Sequence, residues 1–312
     1  MTDVRRRVLE PGGALQDACL PCVEFHGDRD GPRVALIAGV HGCEYTSMLA
    51  LRRLIRSLDP HTVAGHLIVV PVVNVTAFRA RTPFAVPEDG KNLNRSFPGT
   101  ADGTAAEALA RYVFDEVIAG SDALVDMHAG DLPEELEPFA MYDEAVDGNT
   151  KTEETARRMA EAYGLGYVVR HPRSGGPVGG ASTEAAAAVG IPAITAESGG
   201  RGIVEEQAVD RHLRGVTNVL RLLGTLPGEP VRLGDPAVHL ERFIWLRSRA
   251  GGWWEPAVHA GDHVEEGDLL GTVSDLFGDQ LERIEAPAAG VPLFVTSSPA
   301  VAEDGLLLGL GA

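Results

Sequence analysis

The sequence predicts an α/β fold, a mixed sheet flanked by helices, followed by a small all-β C-terminal domain. Two patterns predict the first part: apolar runs of strand length alternate with longer segments whose apolar residues recur every three to four positions. A third predicts the second part. Beyond Pro230 the helical period vanishes, and short β-like runs alternate with Gly, Asp and Pro turns. A chain of 312 residues is long enough for two such units.

Residues 33–40 (RVALIAGV) read as a buried strand ending at a glycine. Glu44 opens a helix to about Leu58, with Leu51, Leu54, Ile55 and Leu58 on one face and Asp59-Pro60 as its stop. Residues 67–73 (LIVVPVV) form the next strand, where Pro71 predicts an edge or irregular position. Residues 74–100 then read as a long loop without obvious structure, and loops of that length tend to be functional. Thr104 and Glu107 make a capping box for a helix to about Ile118. Residues 122–128 are a strand, Thr150 to Tyr163 a helix, and residues 166–171 strand-like. A Gly-rich loop at 174–180 leads to an Ala-rich helix and a strand at 191–197 (IPAITAE). Val209, Leu213, Val216, Leu220 and Leu223 stripe a last helix. Leu226-Pro-Gly-Glu-Pro230 is a linker by composition, which divides the chain into domains at 1–226 and 231–312.

With 45 acidic against 27 basic residues, the formal net charge is −18. Such a surface repels phosphate backbones, so no nucleic-acid partner is expected. No stretch approaches the ~20 apolar residues that span a bilayer. The basic N-terminal cluster Arg5-Arg6-Arg7 has no apolar segment after it, so no membrane association and a cytoplasmic location are expected. Cys19, Cys22 and Cys43 are too few for a disulfide framework, and Cys19-Leu-Pro-Cys22 lacks the second pair of a zinc knuckle. Cys43, between two candidate ligands, is expected to pack beneath them.

Those candidates carry the chemistry. Gly-Val-His-Gly-Cys-Glu at 39–44 and Asp-Met-His at 126–128 offer His41, Glu44 and His128. Two ligands three residues apart and a third far downstream suit a catalytic zinc, which keeps three protein ligands and one open position. His41, His128 and Glu197 each stand at the C-terminal end of an expected strand, the rim where open α/β sheets bind ligands. Amide hydrolysis also needs a carboxylate to move the proton of water to the leaving amine, and Glu197 fits by position. Asn94 and Arg95 suit a substrate carboxylate. Arg79 and Arg81 are candidates for polarising a carbonyl oxygen. The bland reading pairs these arginines with the protein's own carboxylates.

His-Gly-Cys-Glu at 41–44, Asn-Leu-Asn-Arg-Ser-Phe-Pro-Gly at 92–99, Asp-Met-His at 126–128 and Thr-Ala-Glu-Ser-Gly-Gly at 195–200 resemble the succinylglutamate desuccinylase/aspartoacylase family, a branch of the zinc-carboxypeptidase fold. The resemblance runs in order over roughly residues 20–225. It implies one zinc per chain held by His41, Glu44 and His128, with Glu197 as general base. It also implies Asn94 and Arg95 as substrate-anion contacts and an oxyanion arginine, Arg81 ahead of Arg79. His128 is followed here by Ala-Gly-Asp131 rather than Asn, and Ser-Phe-Pro-Gly follows Arg95. That flow is closer to bacterial deacetylases of N-acetyl-diaminobutyrate-type compounds.

The C-terminal residues resemble the barrel-sandwich fold of biotinyl and lipoyl carriers, but a carrier needs a lysine and none follows Lys151. A domain that packs beside the site and narrows it to small substrates is expected instead. Of Trp253 and Trp254, adjacent on a strand, at most one should point inward. His259 and His263 read as a solvated turn. The expected activity is a zinc-dependent deacylase acting on an N-acylated amino acid or related amine, and a homo-oligomer is compatible with the sequence. The alternatives are a peptide metallocarboxypeptidase and a non-catalytic zinc or small-molecule binding protein.

Overall fold

The computed structural model describes residues 2–12, 15–145, 148–171 and 180–312, so most of the Gly-rich loop expected at 174–180 lies outside the described residues. The order opens with β1 (Asp3–Leu9), β2 (Leu20–His26), β3 (Arg33–Ala38), α1 (Tyr45–Ser57), β4 (His66–Val70), α2 (Val75–Ala80), α3 (Ala105–Val113) and β5 (Ala123–His128). It continues with β6 (Glu134–Leu136), β7 (Phe139–Asp143), α4 (Thr150–Tyr163), β8 (Tyr167–His171), α5 (Ser182–Ala188), β9 (Ala193–Glu197), α6 (Glu206–Leu222) and β10 (Val238–Leu240). Seven strands close the chain: β11 (Phe243–Arg247), β12 (Gly252–Pro256), β13 (Leu269–Ser274), β14 (Gln280–Glu285), β15 (Val291–Thr296), β16 (Ala300–Val301) and β17 (Leu306–Gly311).

A nine-stranded sheet has the order β1-β2-β4-β3-β5-β9-β7-β8-β10. Its middle is parallel from β4 through β3 and β5 to β9, with antiparallel joins at β2–β4 and β7–β9. Alternation along the buried strands splits their side chains between two cores. Val34, Leu36, Val125 and Ile194 pack against Leu51 of α1, Met159 of α4 and Val216 of α6. Ala35, Ile37 and Leu124 face Leu109 of α3 and Ala186 of α5. Helices therefore cover both faces, as strands alternating with helices require.

Several elements differ from the sequence reading. β4 is interior to the sheet rather than at its edge, and it ends at Val70, so Pro71 removes no ladder bond. The expected loop at 74–100 carries α2, capped by Asn74, whose side chain accepts from Ala77 N. It also carries a 3-10 turn, Leu93–Arg95, capped by Asn92. The helix after Thr104 closes with a π turn, Phe114–Ile118. α4 is capped one residue before its expected start, by Asn149, whose side chain accepts from Thr152 N.

The C-terminal residues form two four-stranded sheets, β14-β13-β12-β16 and β11-β17-β15-β6. The edge strand β6 comes from the chain just after β5, and pairs antiparallel with β15 through Leu136 and Phe294. β10, conversely, joins the large sheet beside β8. Trp254 is buried and donates its Nε1–H to the Thr296 carbonyl at 2.9 Å, whereas Trp253 is 47% exposed. The His259 imidazole is largely exposed. No helix among the described residues is long and apolar enough to cross a membrane.

Candidate active site

The chain leaves β3 at Ala38 and crosses the rim to His41, and α1 begins immediately after Glu44, its N-cap residue. The turn between them depends on Gly42. A Cβ there would lie 2.4 Å from the carbonyl carbon of Ala77 and from the amide nitrogen of Phe78, both backbone atoms of α2. His128 ends β5, and the β5–β9 register sets it directly beside Glu197.

His41, Glu44 and His128 are all buried and converge, with one potential ligand atom from each lying within 4.8 Å of the others. Nδ1 of His41 is 2.6 Å from Glu44 Oε1, and Nδ1 of His128 is 2.8 Å from Oε2. The opposite ring nitrogens each face another oxygen. His41 Nε2 lies 3.1 Å from Asn92 Oδ1, and His128 Nε2 lies 3.1 Å from Asp126 Oδ1. Oxygens at both Nε2 positions favour the tautomer that carries its proton there, which turns both Nδ1 lone pairs toward the Glu44 carboxylate. Two lone pairs and an anion facing one another need a cation between them, so the donor set fits a divalent metal with N,O preference.

The electrostatics agree. Burial alone would lower the His128 pKa, but the Asp126 and Glu44 carboxylates outweigh it and push the pKa well above its ordinary value. Burial likewise raises Glu44, yet His128 and His41 bring it down to about 2. The carboxylate charge that raises these imidazole pKa values is equally the charge that attracts a divalent cation to the same donors.

Glu197 Oε2 is buried and has no hydrogen-bond partner among the described residues. Burial first, then the nearby Glu44, Glu134 and Asp126 carboxylates, push its pKa well up against the opposing pull of His128. An unpartnered carboxyl with a raised pKa, next to a metal donor set, is equipped for proton transfer. The backbone after it is held firmly. The Ser198 carbonyl accepts from Thr46 Oγ1 at 2.7 Å and lies 3.2 Å from His212 Nε2, while the Tyr163 hydroxyl is 2.7 Å from His212 Nδ1.

The remaining sequence candidates occupy varied places. Asn94 is buried, and its Oδ1 accepts from Ser182 N at 3.0 Å, fixing the start of α5. Arg95 lies over Trp245 of β11, 5.7 Å from the ring centre. Arg81 is exposed at the left-handed C-cap of α2, where its charge opposes the upward push of burial on the Tyr45 pKa. Arg79 is exposed and reaches the Asp17 carbonyl at 3.3 Å. Cys43 is fully buried, as its place between two ligand candidates suggested.

Four contributors escaped the sequence reading. Asp126 stands two residues before His128 on one strand face, so alternation could have flagged it, whereas Asn92 caps a 3-10 turn and follows no such period. Asp131 accepts from Phe84 N at 2.8 Å and thereby holds the Phe84 ring edge-on to His41, 5.7 Å between centres. Glu134 of β6 has its pKa raised to about 7, chiefly by burial and then by Glu44 and Asp131. These two contacts arise from chain crossings that no local pattern encodes.

Comparison with known proteins places this geometry. The succinylglutamate desuccinylase/aspartoacylase catalytic domain matches residues 30–223. The N-alpha-acetyl-L-2,4-diaminobutyric acid deacetylase of Halomonas elongata is 30% identical over 259 residues, spanning 82% of this chain and 74% of that protein. The product-bound structure of the ectoine utilization protein EutE (DoeB) from Ruegeria pomeroyi superimposes with a TM-score of 0.86 at 28% identity, over 99% of this chain and 95% of that one. A succinylglutamate desuccinylase structure from Silicibacter sp. gives 0.84 at 27% identity, over 99% and 95%. Matched in sequence across its α/β part and in structure along nearly its whole length, the chain belongs to the succinylglutamate desuccinylase/aspartoacylase family.

Proposed function

We propose that this protein is a zinc-dependent deacylase that removes a small acyl group from an N-acylated amino acid or related amine, with an N-acetylated diamino acid as the leading substrate. The observation that carries the reading is the convergence of His41, Glu44 and His128 beside the unpartnered Glu197 carboxyl. The similarity to a diaminobutyric acid deacetylase supports the substrate class. One zinc per chain, held by His41, Glu44 and His128, would supply a Lewis acid for the acyl carbonyl and for water.

The chain's own residues do the rest. Glu197 takes a proton from the attacking water and returns it to the amine nitrogen as the C–N bond breaks, so carboxylate and amine leave as separate products. Asp126 and Asn92 hold the two imidazoles in the ligating tautomer. Arg81, exposed beside Tyr45, stabilises the developing oxyanion in this reading, and Asn94 with Arg95 receives the substrate carboxylate. Arg79, turned to the Asp17 carbonyl, is the secondary candidate.

The C-terminal residues 231–312 serve as a cap on the 1–226 hydrolase unit. Supporting this, β6 ties the chain after His128 to β15, and Arg95 stacks on Trp245. The substrate is a small molecule and the expected compartment the cytoplasm.

The test is a panel of N-acetyl, N-succinyl and peptide substrates assayed with the chelated and the zinc-reloaded protein. Release of acetate from N-acetyl-diamino acids, lost on chelation and restored by zinc, supports the reading. Cleavage confined to peptides would instead make the protein a carboxypeptidase.

A further inference from the structure

The chain bends sharply at Phe84, beside the candidate metal donors. Phe84 has a φ of 57°, in the left-handed region that a bulky side chain rarely enters. The Ala85 amide meets the Pro83 carbonyl across it at 2.5 Å, and an i→i+2 contact about a positive φ is the rare, strained form of γ-turn. Strain of this kind persists only where the surroundings enforce it, and it gathers at sites that use it.

The surroundings of Phe84 do enforce it. The buried Asp131 carboxylate accepts from Phe84 N at 2.8 Å, and Ala85 bridges Asn92. Val86, fully buried, donates its N–H to the Lys91 carbonyl at 2.8 Å. Asn92 in turn faces His41 Nε2. The result is a half-buried phenyl ring set edge-on to His41, with 5.7 Å between centres and 79° between planes.

We propose that Phe84 is the wall of the acyl subsite and sets the size of the acyl group removed, admitting acetyl and turning longer chains away. The proposal rests on the deacylase reading above and names the residue behind its preference for a small acyl group. The flank on which the ring lies identifies what it meets. Asn94 and Arg95, assigned to the substrate carboxylate, are engaged by Ser182 of α5 and Trp245 of β11. Phe84 is engaged by Asp131 instead. Burial pushes the Tyr45 pKa up to about 12, with Asp131 adding to the rise and Arg81 opposing it, so Tyr45 and Arg81 gather on the Asp131 side. With Arg81 on the acyl carbonyl oxygen and Arg95 on the carboxylate of the amine portion, the acyl chain points toward Phe84. A phenyl ring gives a methyl group an apolar partner, and a backbone pinned at both ends cannot step back for a longer chain.

The experiment compares kcat/KM for the N-acetyl, N-propionyl and N-butyryl forms of one diamino acid on the zinc-loaded full chain. Wild type should favour acetyl. Phe84→Ala, and Phe84→Gly as a second variant suited to the positive φ, should keep their zinc and raise the butyryl-to-acetyl ratio by about tenfold or more, the scale on which a hydrophobic pocket reads a methylene. An unchanged ratio in a variant that holds zinc overturns the proposal. So does a fixed ratio with a shifted preference among N-acetylated amines of different length, because the ring would then line the amine side. Loss of zinc in both variants would overturn it too, making Phe84 a support for His41 and not a wall. A wild type that cleaves all three compounds alike removes the wall alone, whereas one that cleaves none of them removes the deacylase reading itself.

Discussion

Asp126 Oδ1 lies 3.1 Å from Nε2 of His128, two residues further along the same face of β5. Its other oxygen accepts from the Ser182 hydroxyl at the start of α5. The carboxylate thus places a negative charge against the outer nitrogen of an imidazole whose Nδ1 faces Glu44, which favours a proton on Nε2. Replacing Asp126 by Asn keeps the size but removes the charge, and partners of this kind are worth about 10–100-fold in metal affinity. Asp126→Asn should lose zinc to a competing chelator at correspondingly lower concentration. Wild-type affinity in that variant would show that the contact does not orient the ligand.

Gly42 carries a second prediction. A methyl group there meets α2 backbone at 2.4 Å, and backbone cannot swing aside as a side chain can. Gly42→Ala should therefore displace either α2 or the His41–Glu44 turn, lowering both thermal stability and zinc content. A variant with unchanged Tm and full zinc content would mean the turn is more compliant than this packing implies.

Buried His212 makes stability depend on pH. Burial lowers its pKa to about 4, and an unfolded histidine titrates near 6.5. Between those values the unfolded chain binds the extra proton, so acid favours unfolding. The stability from keeping His212 neutral is fully present above about pH 6.5 and is lost as pH falls toward 4. The shift corresponds to roughly 3 kcal/mol. Denaturant midpoints of wild type and His212→Gln, compared at pH 7 and pH 4.5, should converge in acid as wild type loses this stability. Parallel pH curves for the two proteins would remove His212 as the cause.

The tryptophan pair separates packing from exposure. Trp254 fills the core between the two C-terminal sheets and bonds Thr296, so Trp254→Ala should cost about 3–5 kcal/mol. Trp253, 47% exposed, should change stability by less than about 1 kcal/mol on the same substitution. Equal losses of Tm would contradict the assignment of a single inward face on β12.

Much of the candidate site was legible because its residues sit at strand ends with local signatures. His41 and Glu44 share a turn, and His128 and Glu197 close apolar runs whose lengths mark them as strands. The same local logic located α1, α4 and α6 to within about two residues. It failed where a residue's role is set by the chain that crosses it. β1, with several exposed charges, and β2, interrupted by Pro21 and Glu24, have little periodicity and gave no clear strand signal. α2 is short and was read as loop, since six residues carry barely two turns of periodicity. Pro71 suggested an edge strand, but the strand stops one residue earlier. The partners Asn92, Asp131 and Glu134 become visible only once α3, β5 and β6 are assembled around the metal donors.

The central claim is that His41, Glu44 and His128 hold the metal while Glu197 moves the proton. Glu197→Gln separates the two roles, because the amide keeps the shape of the side chain and removes the base. Zinc content and deacetylation of an N-acetylated diamino acid, measured on the same preparation, give the most direct test. The account predicts unchanged active-site zinc with turnover reduced by about 10²-fold or more. Wild-type turnover, or loss of that zinc, would contradict it.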